Sequence, residues 1–437
     1  MEREIKVGLL GCGTVGGGVW KVLAKNRDNI QKKVGADITV KRVLERDKEK
    51  AVAAGVPAEI ITTDINDIID DPEIKIVVEV VGGIEVAGEF IHKALKAGKS
   101  VVTANKDLLA VQGRELYELA EANNCDLLFE ASVGGGIPII RPLKECLAGN
   151  KIEAIYGIVN GTTNYMLTKM TNEGSSYKEV LAEAQAKGYA EADPTSDVEG
   201  LDAARKLAIL ASIAFNARVS FDDVYVEGIS KITARDIEYA KELNFVVKLL
   251  AIGKETDGKI EVRVHPTMIP VNHPLASVND VFNAIFVKGD ALGEAMFYGR
   301  GAGELPTASA VVGDIIDAAR NIIKGVPGRI GCTCFDRAGC SCFEKKQIKD
   351  MGETQAKYYI RLKVLDRPGV LAAIASVFGN QEVSVASVIQ KRNIGKIAEI
   401  VWVTHEVMEK NIQDALKIIA GLSIVEEVSN VIRVEGE

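Results

Sequence analysis

Residues 188–215 read GYAEADPTSDVEGLDAARKLAILASIAF, and seven charged side chains fall before Leu207: Glu191, Asp193, Asp197, Glu199, Asp202, Arg205 and Lys206. Residues 207–215 carry no charge at all. A helix that is apolar all round is buried, so Lys206 stands where an exposed helix start enters a core. Asp202 lies one turn earlier, at i−4, within reach of the Lys206 ammonium. Burial lowers a lysine pKa and a nearby carboxylate raises it. A lysine so placed can deliver a proton to a carbonyl oxygen or take one from it. The same segment also admits a structural reading. Asp193 before Pro194, or Ser196 with Glu199 as a capping box, would start a helix over 197–215.

A second pattern sits near the N-terminus. Gly11, Gly13 and Gly16 form G-x-G-x-x-G directly after the apolar run IKVGLL and before a helical stretch. In that context the first glycine makes a tight turn, the second admits a pyrophosphate to the backbone, and the third lets strand and helix pack closely. The free N–H groups of the helix N-terminus favour phosphate. A Rossmann-type domain binding NAD or NADP is expected, with Gly11, Cys12, Gly13, Thr14, Val15 and Gly16 at the cofactor. After the second strand comes Glu45-Arg46-Asp47. An acid there suits a ribose 2′-hydroxyl and an arginine suits a 2′-phosphate. We expect Arg46 to meet the cofactor and NADP to be used with NAD tolerated. Lys106, in VVTANKDLLA, follows a buried strand at the sheet end where ligands of such folds bind; it reads equally well as a solvated lysine in a helix's first turn.

These groups need elements to hold them. Apolar strands are predicted over 5–10, 38–44, 76–81, 100–103 and 127–130, separated by helical patterns, which implies a parallel sheet covered by helices. From about residue 151 the pattern changes to strands of a mixed or antiparallel sheet with helices, an α+β arrangement. Residues 306–324 form a strong helix with a proline in its first turn, and we assign it to the nucleotide-binding domain. Residues 325–356 read as a linker. The last eighty residues follow the order βαββαβ, a ferredoxin-like unit. The expected organisation is therefore 1–150 nucleotide-binding, 151–305 catalytic and dimerising, 325–356 linker and 357–437 regulatory.

With 437 residues, two to four domains are expected. The net charge of −8 argues against a nucleic-acid or acidic-membrane surface. No apolar run nears the ~20 residues of a membrane helix, and MEREIKVGLLG lacks a signal-peptide layout, so a cytoplasmic location is expected. Of seven cysteines, Cys12, Cys125 and Cys146 read as small buried residues. Cys332, Cys334, Cys340 and Cys342 cluster in the linker. A soft-metal site, a redox-sensitive linker and an inert loop all fit them.

GLLGCGTVGGGV, VVTANKDLLA, FEASVGGGIPII, GIVNGTTNYML, GYAEADPTSDVEGLDAARKLAIL and GRGAGELPTASAVVGDI stand in that order along the chain. Together they resemble the homoserine dehydrogenases, in the monofunctional form. LDRPGVLAAIASVF resembles the start of an ACT domain, a small effector-binding module. The resemblance implies NAD(P)-dependent interconversion of L-homoserine and L-aspartate 4-semialdehyde, a step towards threonine, methionine and isoleucine. It implies Lys206 as proton donor, Asp202 as its supporting acid, and Glu191 on the substrate ammonium. Asp197 would be a second acid of the substrate site, and Lys106 would lie near both substrate and cofactor. Gly303 would close over the cofactor. A sodium ion would be held at Glu130, Val133, Gly135 and Ile137, mainly by backbone carbonyls; Glu130 could also be a plain strand-end charge. The site would lie at the cleft between the first two domains. The chain would form a homodimer or homotetramer, and threonine would act at the ACT domain near Asp366 and Gly369. Two other readings compete: another Rossmann semialdehyde or amino-acid oxidoreductase, and a non-catalytic sensor of NADP and an amino acid. An acylating dehydrogenase needs a nucleophilic cysteine, and residues 150–305 hold none. Intact Glu191, Asp202 and Lys206 argue against the sensor.

Overall fold

A computed structural model describes residues 4–328 and 346–436. The cluster Cys332, Cys334, Cys340 and Cys342 lies outside the described residues. Among the described residues, no helix is long and apolar enough to cross a membrane.

The chain opens with β1 (Glu4–Leu10), α1 (Thr14–Lys25), α2 (Arg27–Val34), β2 (Asp37–Leu44), α3 (Lys48–Ala53), β3 (Ile61–Thr62) and α4 (Asn66–Ile69). β4 (Ile74–Glu79), α5 (Glu85–Lys96), β5 (Ser100–Thr103), α6 (Lys106–Ala122) and β6 (Leu127–Leu128) follow. The strands form one sheet in the order β3-β2-β1-β4-β5-β6, parallel throughout. Val7, Leu9, Leu10, Ile76, Val77, Val78, Val101 and Val102 have no exposure, as strands covered on both faces require. The order reverses between β1 and β4, which opens a crevice at their carboxyl ends. The strand expected over 127–130 stops at Leu128, and Glu130–Ser132 forms a 3-10 turn instead. The Glu130 amide donates to Asp314 Oδ2 at 2.8 Å, and that bond takes the backbone out of the ladder.

Next come β7 (Ile152–Ile158), α7 (Gly161–Glu173), α8 (Tyr177–Ala186), α9 (Thr195–Val198) and α10 (Leu201–Ala214). The single helix expected over 197–215 is thus two. Gly200 separates them at φ +80°, and a Cβ there would lie 3.2 Å from both Val226 and Val264, so the break needs glycine. Further on lie β8 (Tyr225–Val226), α11 (Ala234–Glu242), β9 (Phe245–Thr256), β10 (Lys259–Pro270), β11 (Phe282–Gly289), β12 (Gly293–Arg300) and α12 (Glu304–Lys324). Ala308, Val311 and Ile315 of α12 share one core with Val7, Leu9 and Val19.

The expected linker contains structure: β13 (Gln347–Ile348) pairs in parallel with β10. Then follow β14 (Gln355–Leu365), α13 (Val370–Asn380), β15 (Val385–Ile394), β16 (Ile397–Thr404), β17 (Val407–Met408), α14 (Glu409–Ala420) and β18 (Val425–Val434). The order β18-β14-β16-β15 is ferredoxin-like.

Two compact units result. One takes the residues up to Glu153 with Arg205–Asp222 and the described part of 283–345; the other takes Ala154–Ala204, Asp223–Phe282 and the C-terminal part. In the second unit, β18 pairs with β10 through Thr267–Arg433 and Met268–Val434, so the ferredoxin-like sheet continues the β9–β10 hairpin. Buried ion pairs reinforce the join. Arg361 Nε donates to Asp236 Oδ1 at 2.8 Å, and Arg433, held within its own part by Glu409 at 2.7 Å, reaches the partly exposed Glu227 at 3.0 Å. Of the three isolated cysteines, Cys12 and Cys125 are buried, whereas Cys146 is exposed. It ends a π-helical turn, Pro142–Cys146, whose Leu143 and Lys144 take the inward positions.

Candidate active site

The glycine-rich loop joins β1 to α1. A Cβ on Gly16 would lie 2.0 Å from the Gly11 carbonyl oxygen, so only glycine lets α1 start against the turn. Gly13 caps α1 without a side-chain bond, and Thr14 begins it. The donors of this first turn suit a pyrophosphate. Glu45, and not Arg46, faces the loop: its carboxylate accepts the Cys12 amide at 2.8 Å and the Asp47 amide at 3.3 Å. Arg46 is exposed. Both residues lie just past the end of β2, where the Glu45 amide donates to the Thr62 carbonyl at 3.0 Å and fixes the exit of the chain.

At the carboxyl ends of β4 and β5 stands a buried polar knot that the sequence reading missed. Glu79 is fully buried. Its carboxylate accepts the amides of Val81 at 2.9 Å and Gly82 at 3.0 Å, and the Thr103 hydroxyl at 2.6 Å. These bonds also end β4 short of the expected residue 81. Asn105 caps α6 by accepting the Leu108 amide at 3.1 Å, and its amide donates to the Gly83 carbonyl at 2.7 Å. The knot therefore orders both the loop 80–84 and the start of α6, where Lys106 is the first residue. Lys106 Nζ lies 4.0 Å from Asp107 Oδ2. Asp107 in turn lies 3.4 Å from Arg205 Nε, and Arg205 stacks over the Phe221 ring at 5.3 Å. Gly82, Gly83, Asp107, Arg205 and Phe221 line a cleft of about 780 Å³.

In the acid–lysine cluster, Asn160 brings two of the acids together. It precedes α7 and accepts the Thr163 amide at 2.9 Å. Its Nδ2 donates to Asp197 Oδ1 at 2.7 Å and to Asp202 Oδ2 at 2.9 Å. Asp202 is buried and Lys206, one turn on, is half-buried. Asp193 serves a local turn, accepting the Thr195 amide at 3.1 Å and hydroxyl at 2.6 Å. Those bonds hold its carboxyl below the usual range. The capping box expected of Ser196 and Glu199 does not form: α9 has no side-chain cap, and Pro194 occupies that position. Glu191 is exposed, and its carbonyl accepts from Gln185 at 3.1 Å.

Around the residues expected to hold sodium, the Glu130 carboxylate is already used. It accepts the amides of Ile139, Ile140 and Arg141 at 2.6, 2.8 and 2.8 Å, which leaves its carbonyl for a cation. Burial pushes Asp314 up to about 7 against the lowering effect of Arg141, which pairs with it at 2.6 Å. The Ser132 hydroxyl and the Asn283 amide are buried without hydrogen-bond partners. Asn283 packs on Gly301, whose carbonyl lies 2.3 Å from where a Gly135 Cβ would stand. Orphaned polar groups of this kind call for a polar ligand, so the segment fits an oxygen-ligated ion. Gly303 caps α12 at φ +123°.

Three family matches cover this architecture. Residues 11–130 match the homoserine dehydrogenase NAD-binding domain, residues 138–316 match homoserine dehydrogenase, and residues 358–423 match the ACT domain. A homoserine dehydrogenase from Bacillus subtilis is 47% identical over 436 residues, covering 99% of both chains. The structure of one from Thiobacillus denitrificans superposes with a TM-score of 0.93 at 43% identity, covering 99% of both chains. A hyperthermophilic archaeal homoserine dehydrogenase in complex with NADPH superposes at 0.61 with 30% identity, over 72% of this chain and 98% of that one. With the glycine loop, the acid–lysine segment and the C-terminal unit all matched in order, the chain belongs to the homoserine dehydrogenase family.

Proposed function

We propose that this NAD(P)-dependent oxidoreductase interconverts L-homoserine and L-aspartate 4-semialdehyde in the cytoplasm, on the route to threonine, methionine and isoleucine. The observation that carries the reading is the buried Asp202, held by Asn160 and one helical turn before Lys206. A bound nicotinamide supplies or accepts the hydride. Lys206 delivers a proton to the aldehyde oxygen of the semialdehyde as charge develops there, and takes it back in the reverse direction. Asp202 supports the Lys206 ammonium, and Lys106 adds positive charge near the same oxygen. Glu191 binds the substrate ammonium and Asp197 completes that end, which orients the reacting carbon. The loop of residues 11–16 holds the pyrophosphate, with the amides from Gly13 onward facing it because those of Gly11 and Cys12 donate to Leu44 and Glu45, and Gly303 closes over the cofactor.

The contact of Glu45 with the Cys12 amide favours NAD, because a carboxylate there accepts from a ribose 2′-hydroxyl and repels a 2′-phosphate. That reverses the expectation drawn from Arg46. A sodium ion on the carbonyls of Glu130, Val133, Gly135 and Ile137 would brace this segment, and the orphaned oxygens Ser132 Oγ and Asn283 Oδ1 are donors of the kind that such an ion takes. Threonine acting at the turn from Asp366 to Gly369, which caps α13 at φ +89°, would be the feedback signal. Self-association as a homodimer or homotetramer is supported by β12, which exposes Met296 and Tyr298.

The test follows reduced-nicotinamide absorbance with L-aspartate 4-semialdehyde or L-homoserine and each nucleotide. Lys206→Ala is expected to lose about 10²–10⁴-fold in kcat while cofactor affinity persists. Full turnover in that variant removes Lys206 from the chemistry, and no turnover of either substrate by the unaltered chain rejects the proposal.

A further inference from the structure

The first unit contains a cavity that the chemistry above does not use. It lies between α6 and residues 208–220, and its volume is about 140 Å³. Apolar cavities of ~150 Å³ accept a benzene ring. Leu109 of α6 and Ile213 of α10 are among its aliphatic walls. Tyr117 and Phe129 add an aromatic wall, their rings edge-to-face with centroids 5.7 Å apart.

One polar group stands among these walls with little solvent. Lys144 is 6% exposed. Its ammonium donates to the Tyr117 hydroxyl at 3.1 Å and lies 4.6 Å from the Phe129 ring centre. Arg218 lines the space as well, and so does Arg114, which pairs with Glu118 at 2.7 Å. No carboxylate lines the cavity among the described residues. Neither the glycine loop nor Glu191, Asp197, Asp202 or Lys206 borders it. Ala110 and Val111 line both this cavity and the cleft beside Asp107 and Arg205, so the two spaces adjoin but are distinct.

We propose that this cavity is a second ligand site for a small aromatic or branched-chain carboxylate, with its apolar body between α6 and α10 and its carboxylate on Lys144. The shape and walls suit the body. The basic lining, without an acid, suits the anion, because a charge-assisted bond at a buried ammonium is stronger than one in water. An occupant touches the helix that begins at Lys106 and the helix that carries Lys206, so binding changes turnover without competing with nucleotide. This kinetic consequence, unlike the binding itself, rests on the function proposed above.

Gly113 provides the decisive variant. It lines the cavity, and a Cβ built on it meets nothing within 4 Å. Gly113→Leu therefore enters from the lining with room for its Cβ and takes up ligand volume, and leucine is the better helix former. Binding of benzoate and of 4-methylpentanoate to the full chain is followed by titration calorimetry and ligand-observed NMR, with benzamide as the neutral isostere. We expect at least one carboxylate to bind, benzamide to bind at least about tenfold more weakly, and saturating nucleotide to leave binding in place. Gly113→Leu is expected to abolish it at unchanged melting temperature or higher. Lys144→Met should weaken it about tenfold or more, but Lys144 also borders Glu130 and Asp314, so Gly113→Leu decides. Binding that survives Gly113→Leu, displacement by nucleotide, equal affinity for benzamide, or no binding by either carboxylate overturns the site. A carboxylate that binds as expected yet leaves turnover unchanged overturns the kinetic half alone.

Discussion

Replacing Asn160 by serine separates two jobs that one side chain performs. Serine keeps an oxygen to cap α7, and Ser and Asn are near-equal caps, so the bond to the Thr163 amide at 2.9 Å has a substitute. A serine hydroxyl does not reach both Asp197 and Asp202, which Asn160 now holds at 2.7 and 2.9 Å. Hydrogen bonds to charged groups contribute about 1.5–3 kcal/mol. Asp197 is only half-buried, and water replaces much of its bond. Asp202 is 7% exposed and has less access to water. A net loss of about 2–3 kcal/mol is expected, nearly all at Asp202, which is roughly 30–150-fold in kcat/KM if Asp202 must be held to support Lys206. Asn160→Asp sharpens the case. It keeps the cap and adds a third carboxylate beside two others, so the cluster must take up a proton at higher pH. Its activity is therefore expected to fall, with the pH–rate profile displaced. Steady-state kinetics across pH, with urea denaturation of each variant, separates activity from stability. If Asn160→Ser loses stability alone, or Asn160→Asp keeps both kcat/KM and pH profile, Asn160 is a cap and nothing more.

Three further outcomes are expected. Glu45→Ser removes the acid beside the Cys12 amide, and the kcat/KM ratio of NADP to NAD should rise about 10-fold or more; an unchanged ratio places the discrimination elsewhere. Burial pushes Lys248 down to about 8, with Asp280 opposing, while in the unfolded chain it titrates near 10.5. Between those values the unfolded chain binds more protons, so stability should rise with pH across that window, by up to about 3 kcal/mol; Lys248→Met should flatten that rise in urea denaturation. Asp236→Ala removes the nearer of two carboxylates around buried Arg361, at 2.8 Å, and leaves Glu399 at 3.1 Å, so a cost of about 1.5–3 kcal/mol is expected, below that of a wholly unpaired buried charge. Urea denaturation checks this: a cost of about 5 kcal/mol or more would mean that Glu399 does not compensate Arg361, and Glu399→Gln combined with Asp236→Ala should cost more than the single variant.

Much of the architecture was legible in the chain itself. Apolar runs alternating with helical periodicity announced the parallel sheet, and G-x-G-x-x-G needed only its flanking strand and helix to be placed. The βαββαβ order of the last eighty residues was readable for the same reason: period and turn residues act within a few positions. Lys206 was singled out because nine uncharged residues follow it, a local signal of burial. The remainder required partners distant in sequence. Glu130 reads as a strand-end charge until its carboxylate meets the amides of residues 139–141. Glu45 and Arg46 are equal candidates until the loop after β2 is pinned, with the Glu45 amide on the Thr62 carbonyl and its carboxylate on the Cys12 amide, while Arg46 stays exposed. Asn160 is an ordinary helix cap in sequence, and only the fold of α9 and α10 around Gly200 brings Asp197 and Asp202 to its amide. Local propensity determined the elements. Long-range hydrogen bonding and burial, which no window of the sequence contains, decided which polar side chains gather at the candidate site.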